Sequence, residues 1–222
     1  MAGINDFFLR YFRSRQNRFA SILWRGDGVR REIALTFDDG PHPRDTLRVL
    51  KALAKHNVHA TFFLIGMQVE KFSHLVRQIH QNGHQLGIHC YRHFPFPLEN
   101  PSVLRAQLDR TKQAIAKTCG VQPETIRDVR PPYGFFSTTT LSLLTEWGYR
   151  LVLWDNMPLH FIQPVSWTMK QVLERTVPGS IIVLHDGHGH GRRAAEIVNI
   201  TVPKLKAMNF EFVTIEQMKD QN

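Results

Sequence analysis

The strongest constraint on this chain is a regular alternation of short apolar runs with longer amphipathic ones. Seven strand-like runs fall at residues 33–37, 60–65, 85–89, 126–129, 151–154, 181–185 and 210–214. Helical stretches lie between them at 46–56, 74–81, 102–118, 137–147, 166–176 and 192–208. Asn100-Pro101 supplies an N-cap and a first-turn proline, and Asn82-Gly83 and Gly148 supply stops. Pro203 is expected to kink or split the last helix. Seven strands alternating with helices mean a parallel α/β sheet or barrel. No repeat, low-complexity tract or linker interrupts the pattern, and 222 residues, 42% of them hydrophobic, suffice for one domain with a substantial core.

The formal charge is +9, and it is uneven. Residues 1–31 hold seven arginines and two aspartates, so five of the nine surplus charges sit there. A basic surface favours anionic partners. On a helix over 4–24, Ile4, Phe8, Tyr11, Phe12, Phe19, Ile22 and Leu23 share one side, with Arg10 and Arg13 opposite. Such a helix packs on its own domain, the preferred reading, or lies on an anionic membrane surface. The chain therefore divides into a basic, helical N-terminal extension, 1–31, and a main domain, 32–222. No nucleic-acid motif accompanies the charge. Two cysteines, Cys90 and Cys119, make no disulfide framework. No run approaches the roughly 18 apolar residues of a membrane helix. No secretory signal follows Met1, so the expected location is the cytoplasm or the membrane periphery.

The chemistry gathers at strand ends. The first strand runs into Asp38-Asp39-Gly40-Pro41, two adjacent carboxylates at a turn. Adjacent like charges are costly unless something uses them; one could bind a cation while the other stays free as a base. His89-Cys90-Tyr91-Arg92-His93 follows the third strand, and histidines four apart share one side of a helical turn, where both can reach one metal ion. Arg130-Pro131-Pro132-Tyr133 follows the fourth; its prolines have no N–H, which leaves the Tyr133 N–H as a fixed donor suited to an oxyanion. His185 ends the sixth strand and is a candidate for proton exchange near neutral pH. His188 and His190, in the Gly/His-rich loop beyond it, are a second metal site or a rim, and the rim is preferred. All these residues follow C-terminal strand ends, the edge that carries the active site in parallel α/β folds. One aspartate and two histidines form a three-ligand set with room for water, the catalytic pattern.

With these residues assembled, the chain resembles the polysaccharide deacetylase family (NodB homology domain, carbohydrate esterase family 4) from about Glu32 to Met218. Thr36 to Pro41 matches its first motif, Gly83 to His93 its second with Cys90 in place of the usual Ser or Thr, Arg130 to Tyr133 its third, and Leu184-His185 its fifth. The resemblance implies a distorted (β/α)7 barrel and a divalent metal, usually zinc, sometimes cobalt or nickel. It implies Asp39, His89 and His93 as metal ligands, Asp38 as catalytic base, Arg130 as the residue orienting the base, Tyr133 as an oxyanion donor and His185 as the acid. The implied activity is hydrolysis of N-acetyl groups on amino sugars, in a polysaccharide, an oligosaccharide or peptidoglycan; the substrate is the implied partner.

The fourth motif departs. Met157, His160 and Phe161 stand where the family usually has Asp, Asp and Trp, and Asp155 is the nearest substitute. Two other readings follow: a deacetylase of a lipid-linked amino sugar at the membrane, which the basic N-terminal helix favours, and a carbohydrate-binding homologue that has lost turnover, which the altered motif favours.

Overall fold

The strand Glu32–Gly40 is the one around which the others assemble: all nine of its residues are buried. A strand buried on both faces needs neighbours on both sides and layers above and below it, and the sequence supplies them. The structure, a computed structural model, describes residues 21–218. In chain order its strands are β1 (Ile22–Leu23), β2 (Glu32–Gly40), β3 (Thr61–Ile65), β4 (Gln85–Cys90), β5 (Asp128–Val129), β6 (Arg150–Val152), β7 (Ile181–His185) and β8 (Glu211–Val213). They pair in parallel in the order β1-β6-β5-β4-β3-β2-β7, with β8 beside the first residues of β2. A single bridge, Asn156 to Ile182, joins the chain after β6 to β7 and closes the sheet into a barrel.

The helices are α1 (Asp45–Lys55), α2 (Gly66–Lys71), α3 (Ser73–Gln81), α4 (Pro101–Cys119), α5 (Thr138–Glu146), α6 (Val165–Arg175) and α7 (Gly191–Ala207). Asn100 caps α4 by accepting the Ser102 N–H at 3.0 Å, and left-handed Gly120 ends it. Pro203 does not split the last helix: α7 runs unbroken through it. Its buried stripe of Ala194, Val198, Val202 and Leu205 is anchored on both sides of the proline, and that packing outweighs one lost backbone bond.

Alternation along β2 and β3 divides the core. Ile33, Leu35, Phe37, Phe62 and Leu64 belong to the large apolar layer under the helices, while Ala34 and Phe63 join Leu23, Val152 and Ile181 in a smaller cluster. The basic helix expected over 4–24 lies mostly outside the described residues. Its last apolar pair, Ile22 and Leu23, is strand β1, buried against Leu151 and Val152. Among the described residues no helix is long and apolar enough to cross a membrane.

Candidate active site

The same alternation carries Thr36 and Asp38 to one face of β2, where Arg130 meets them. Arg130 is fully buried. Its Nη1 donates to Thr36 Oγ1 and to Asp38 Oδ1, both at 2.7 Å, and its Nη2 donates to the Leu153 carbonyl at 3.0 Å. The guanidinium lies 4.0 Å over the Phe63 ring. Burial pushes the Arg130 pKa down and Asp38 opposes it. A guanidinium enclosed in this way fixes the carboxylate it pairs with, and Asp38 keeps its second oxygen for other work.

Asp39 leaves the ladder. Asp38 pairs with Phe63 and Gly40 with Leu64, so Asp39 is the extra residue of a β-bulge, in the left-handed region at φ 73°. Gly187 lies so close against Asp39 that a Cβ there would collide with it. Strand β4 repeats the device: Leu64 pairs with Ile88 and Ile65 with Cys90, so His89 is also the extra residue. His93 follows in a bend, not in the expected helical turn, because β4 continues to Cys90 before the chain turns. The outcome is nonetheless convergence. His89 Nε2 and His93 Nε2 lie 3.2 and 3.3 Å from Asp39 Oδ1, and the three ligand atoms fall within 4.8 Å of one another.

This donor set suits a metal ion. His89 Nδ1 sits 2.8 Å from the Arg130 carbonyl, which can only accept, so the proton is on Nδ1 and the Nε2 lone pair faces Asp39. Asp39 Oδ1 is buried without a well-formed hydrogen bond. Burial opposes ionisation of Asp39, but the His89 and His93 rings hold its carboxyl well below the usual range. Burial likewise opposes a charge on His89, yet Asp39 and Asp38 raise its pKa. The centre calls for positive charge, which a divalent ion supplies. Cys90 is buried nearby and is not one of the three; burial pushes its thiol well up.

The loop after β5 supplies the next wall. The Gly134 and Phe135 N–H groups bond to the Pro131 and Pro132 carbonyls at 2.9 and 3.1 Å; neither bond uses the Tyr133 N–H. Tyr133 is left-handed at φ 60°, and its phenol lies 3.2 Å from His93 Nδ1. This ties the residue of the expected oxyanion donor to a candidate metal ligand.

His185 ends β7 directly opposite Asp38 in register. Burial pushes its pKa down; Asp38 and Asp39 pull it up, and His89 and His190 oppose them. Asp155 does not substitute for the missing motif carboxylate. Its oxygens accept the Ser180 hydroxyl and the Ile181 N–H, both at 2.8 Å, at the other end of β7. Asp186 is fully buried and accepts the Thr46 hydroxyl; burial and then Asp39 and Asp38 push its carboxyl up to about 7. His160 is stacked on His185 with centroids 5.2 Å apart. In the Gly/His loop, His188 is more than half exposed and comes within 3.9 Å of Asp39 Oδ2, as a rim residue would.

The family model described as Polysaccharide deacetylase matches residues 25–152. A peptidoglycan-N-acetylglucosamine deacetylase of Bacillus cereus is 34% identical over 195 residues, 84% of this chain and 68% of that protein. The chain belongs to the polysaccharide deacetylase family. A chitooligosaccharide deacetylase of Azorhizobium caulinodans is 31% identical over 190 residues, covering 80% of this chain and 90% of the relative. Among solved structures, the Bc1960 peptidoglycan N-acetylglucosamine deacetylase in complex with 4-naphthalen-1-yl-N-oxidanyl-benzamide superposes with a TM-score of 0.85 at 31% identity, over 90% of this chain and 92% of that one. The barrel is the fold of this family.

In this polysaccharide deacetylase, Asp38, Asp39, His89, His93, Arg130, Tyr133 and His185 all lie at one barrel edge, as their strand-end positions required. Three contributors escaped the reading of the sequence as site residues. Thr36, two positions before Asp38 and so on the same face, was legible by alternation. Thr46, which bonds Asp186, and His160, which stacks on His185, come from outside the strand ends and left no such signal.

Proposed function

We propose that this protein hydrolyses the N-acetyl group of an amino sugar, with zinc as the expected ion and cobalt or nickel as substitutes. The observation that carries the reading is the pairing of two different carboxylates at one bulge: Asp38 locked on Arg130, Asp39 turned to His89 and His93. An ion held by Asp39, His89 and His93 would lower the pKa of a water and polarise the acetyl carbonyl. Asp38 takes the proton of the attacking water as its oxygen bonds to the carbonyl carbon. The Tyr133 N–H donates to the developing oxyanion, a contribution typically worth about 2.7–4 kcal/mol. His185 delivers a proton to the nitrogen as the C–N bond breaks, because an amine anion is too basic to leave. The products are acetate and a free amino sugar. The related deacetylases of peptidoglycan and chitooligosaccharide support this substrate class.

The test is acetate release from chitooligosaccharides, peptidoglycan fragments and lipid-linked amino sugars, with zinc, cobalt or nickel added. Release from one of the first two is expected. Release from the lipid-linked sugar alone would move the reaction to a membrane substrate. Binding without release from any of them, by metal-loaded protein, would overturn the hydrolytic reading.

A further inference from the structure

A histidine that delivers a proton must hold its ring still, and the usual device is a hydrogen bond on the second ring nitrogen. His185 lacks one: its Nδ1 is buried and has no hydrogen-bond partner among the described residues. The carboxylates nearest in sequence are engaged elsewhere, Asp155 by Ser180 and Ile181 and Asp186 by Thr46.

We propose that His160 is the positioning residue of His185, holding the acid by ring stacking and by a bond to its backbone in place of a carboxylate on its ring. His160 is fully buried. Its Nε2 accepts the His185 backbone N–H at 3.3 Å, and the two rings are nearly parallel, 26° apart. Phe161 closes the cage with its ring at 85° to His185 and 5.4 Å away. The segment is itself clamped: Arg193 Nη1 donates to the His160 and Phe161 carbonyls, both at 3.2 Å, and the His160 N–H bonds the Pro158 carbonyl at 2.8 Å. Burial, then the neighbouring His185, push the His160 pKa down to about 3, against the pull of the Pro158 carbonyl. His160 is therefore a neutral ring at working pH and can face an imidazolium without adding a like charge. The other ionisable groups acting on His185 are Asp38 and Asp39 of β2, His89 of β4 and His190 just before α7, whose ring also lies 6.2 Å from that of His160.

The inference rests on His185 being the acid. Its test pairs His160→Leu, which fills the space without an acceptor, with His160→Gln, which keeps a flat polar group able to accept the N–H. Both are assayed with zinc-loaded full-length protein on N-acetylglucosamine oligosaccharides. His160→Leu should lose about 10–100-fold in kcat, the usual effect of removing a residue that orients a working one. KM and metal content should stay within about twofold, and His160→Gln should recover to within about fivefold of wild type. Wild-type kcat in His160→Leu, or a loss accounted for by KM or metal, overturns the proposal. A substrate-free measurement keeps the two readings apart. In wild-type protein, NMR cross-peaks are expected between the His160 and His185 ring protons, and their absence overturns the stack whatever the variants do. Failure of wild type to release acetate from any sugar would instead sink the proposed reaction.

Discussion

Two neighbouring strand tips form the site, and they are held by opposite means. At the tip of β2 both carboxylates have company that carries or attracts positive charge: Asp38 has Arg130 at 2.7 Å, and Asp39 has His89 and His93. At the tip of β7, in register beside it, His185 rests against rings and Asp186 accepts a threonine hydroxyl, with no cation on either among the described residues. The first tip is organised by charge and the second by shape. Groups in a charge-organised site fail outright when one member is removed, because the partner is left buried and uncompensated. Groups held by shape fail by degrees. In the proposed reaction the difference also divides the work, with the metal and base chemistry at one tip and the acid at the other.

The largest effects should come from emptying the β2 side. Asp39→Ala, His89→Ala and His93→Ala are each expected to lose bound metal and fall to background activity; full metal occupancy in all three purified variants would remove the centre assigned here. Next comes Asp38→Asn, which keeps the shape and cannot accept a proton. Metal content should hold while turnover falls by about 10²–10⁴. A near wild-type rate would assign the base to another group.

The smallest effect, and the one that isolates the β7 side, is a pH dependence of stability. Asp186 titrates near 7 in the fold against 3.8 as its ordinary value. Between those pH values the unfolded chain has released a proton that the folded chain keeps, so stability present below about pH 3.8 is lost as pH rises through 7. The loss amounts to roughly 4 kcal/mol at most. Asp186→Asn retains an acceptor for Thr46 and has nothing to ionise. Its Tm should therefore hold between pH 4 and pH 8 better than that of wild type, at equal metal loading. Parallel Tm curves would mean that Asp186 is already ionised in the fold, and the contrast between the tips would weaken.

Much of this was legible in the sequence because burial writes a period into it. All seven expected strands exist, and the one added, Ile22–Leu23, is two residues long and takes its pairing from β6. The short helix Gly66–Lys71 left no signal, for six residues are too few to show a 3.6-residue period and two of them, Gly66 and Val69, are buried. The site residues were legible as types at strand ends, but not how they converge. That depends on two bulges, at Asp39 and His89, which are properties of register between strands and not of either strand alone. His160 was visible only as a departure from the resembled motif; its use appears once the segment after β6 is seen folded over β7.

That segment also contains Asn156, through which the barrel closes. Its N–H bonds the Ile181 carbonyl at 3.2 Å and its carbonyl accepts the Val183 N–H at 2.9 Å, and among the described residues no further ladder pairing joins the two edges. A seam with one short bridge and a few side-chain bonds opens more readily than a continuous ladder, and amide exchange at Asn156 should run ahead of exchange in the central pairing of β2 with β3. Four residues further on the same piece of chain becomes His160. The seam of the cylinder and the strap across the acid are one segment, so each opening of the seam loosens the ring that steadies His185.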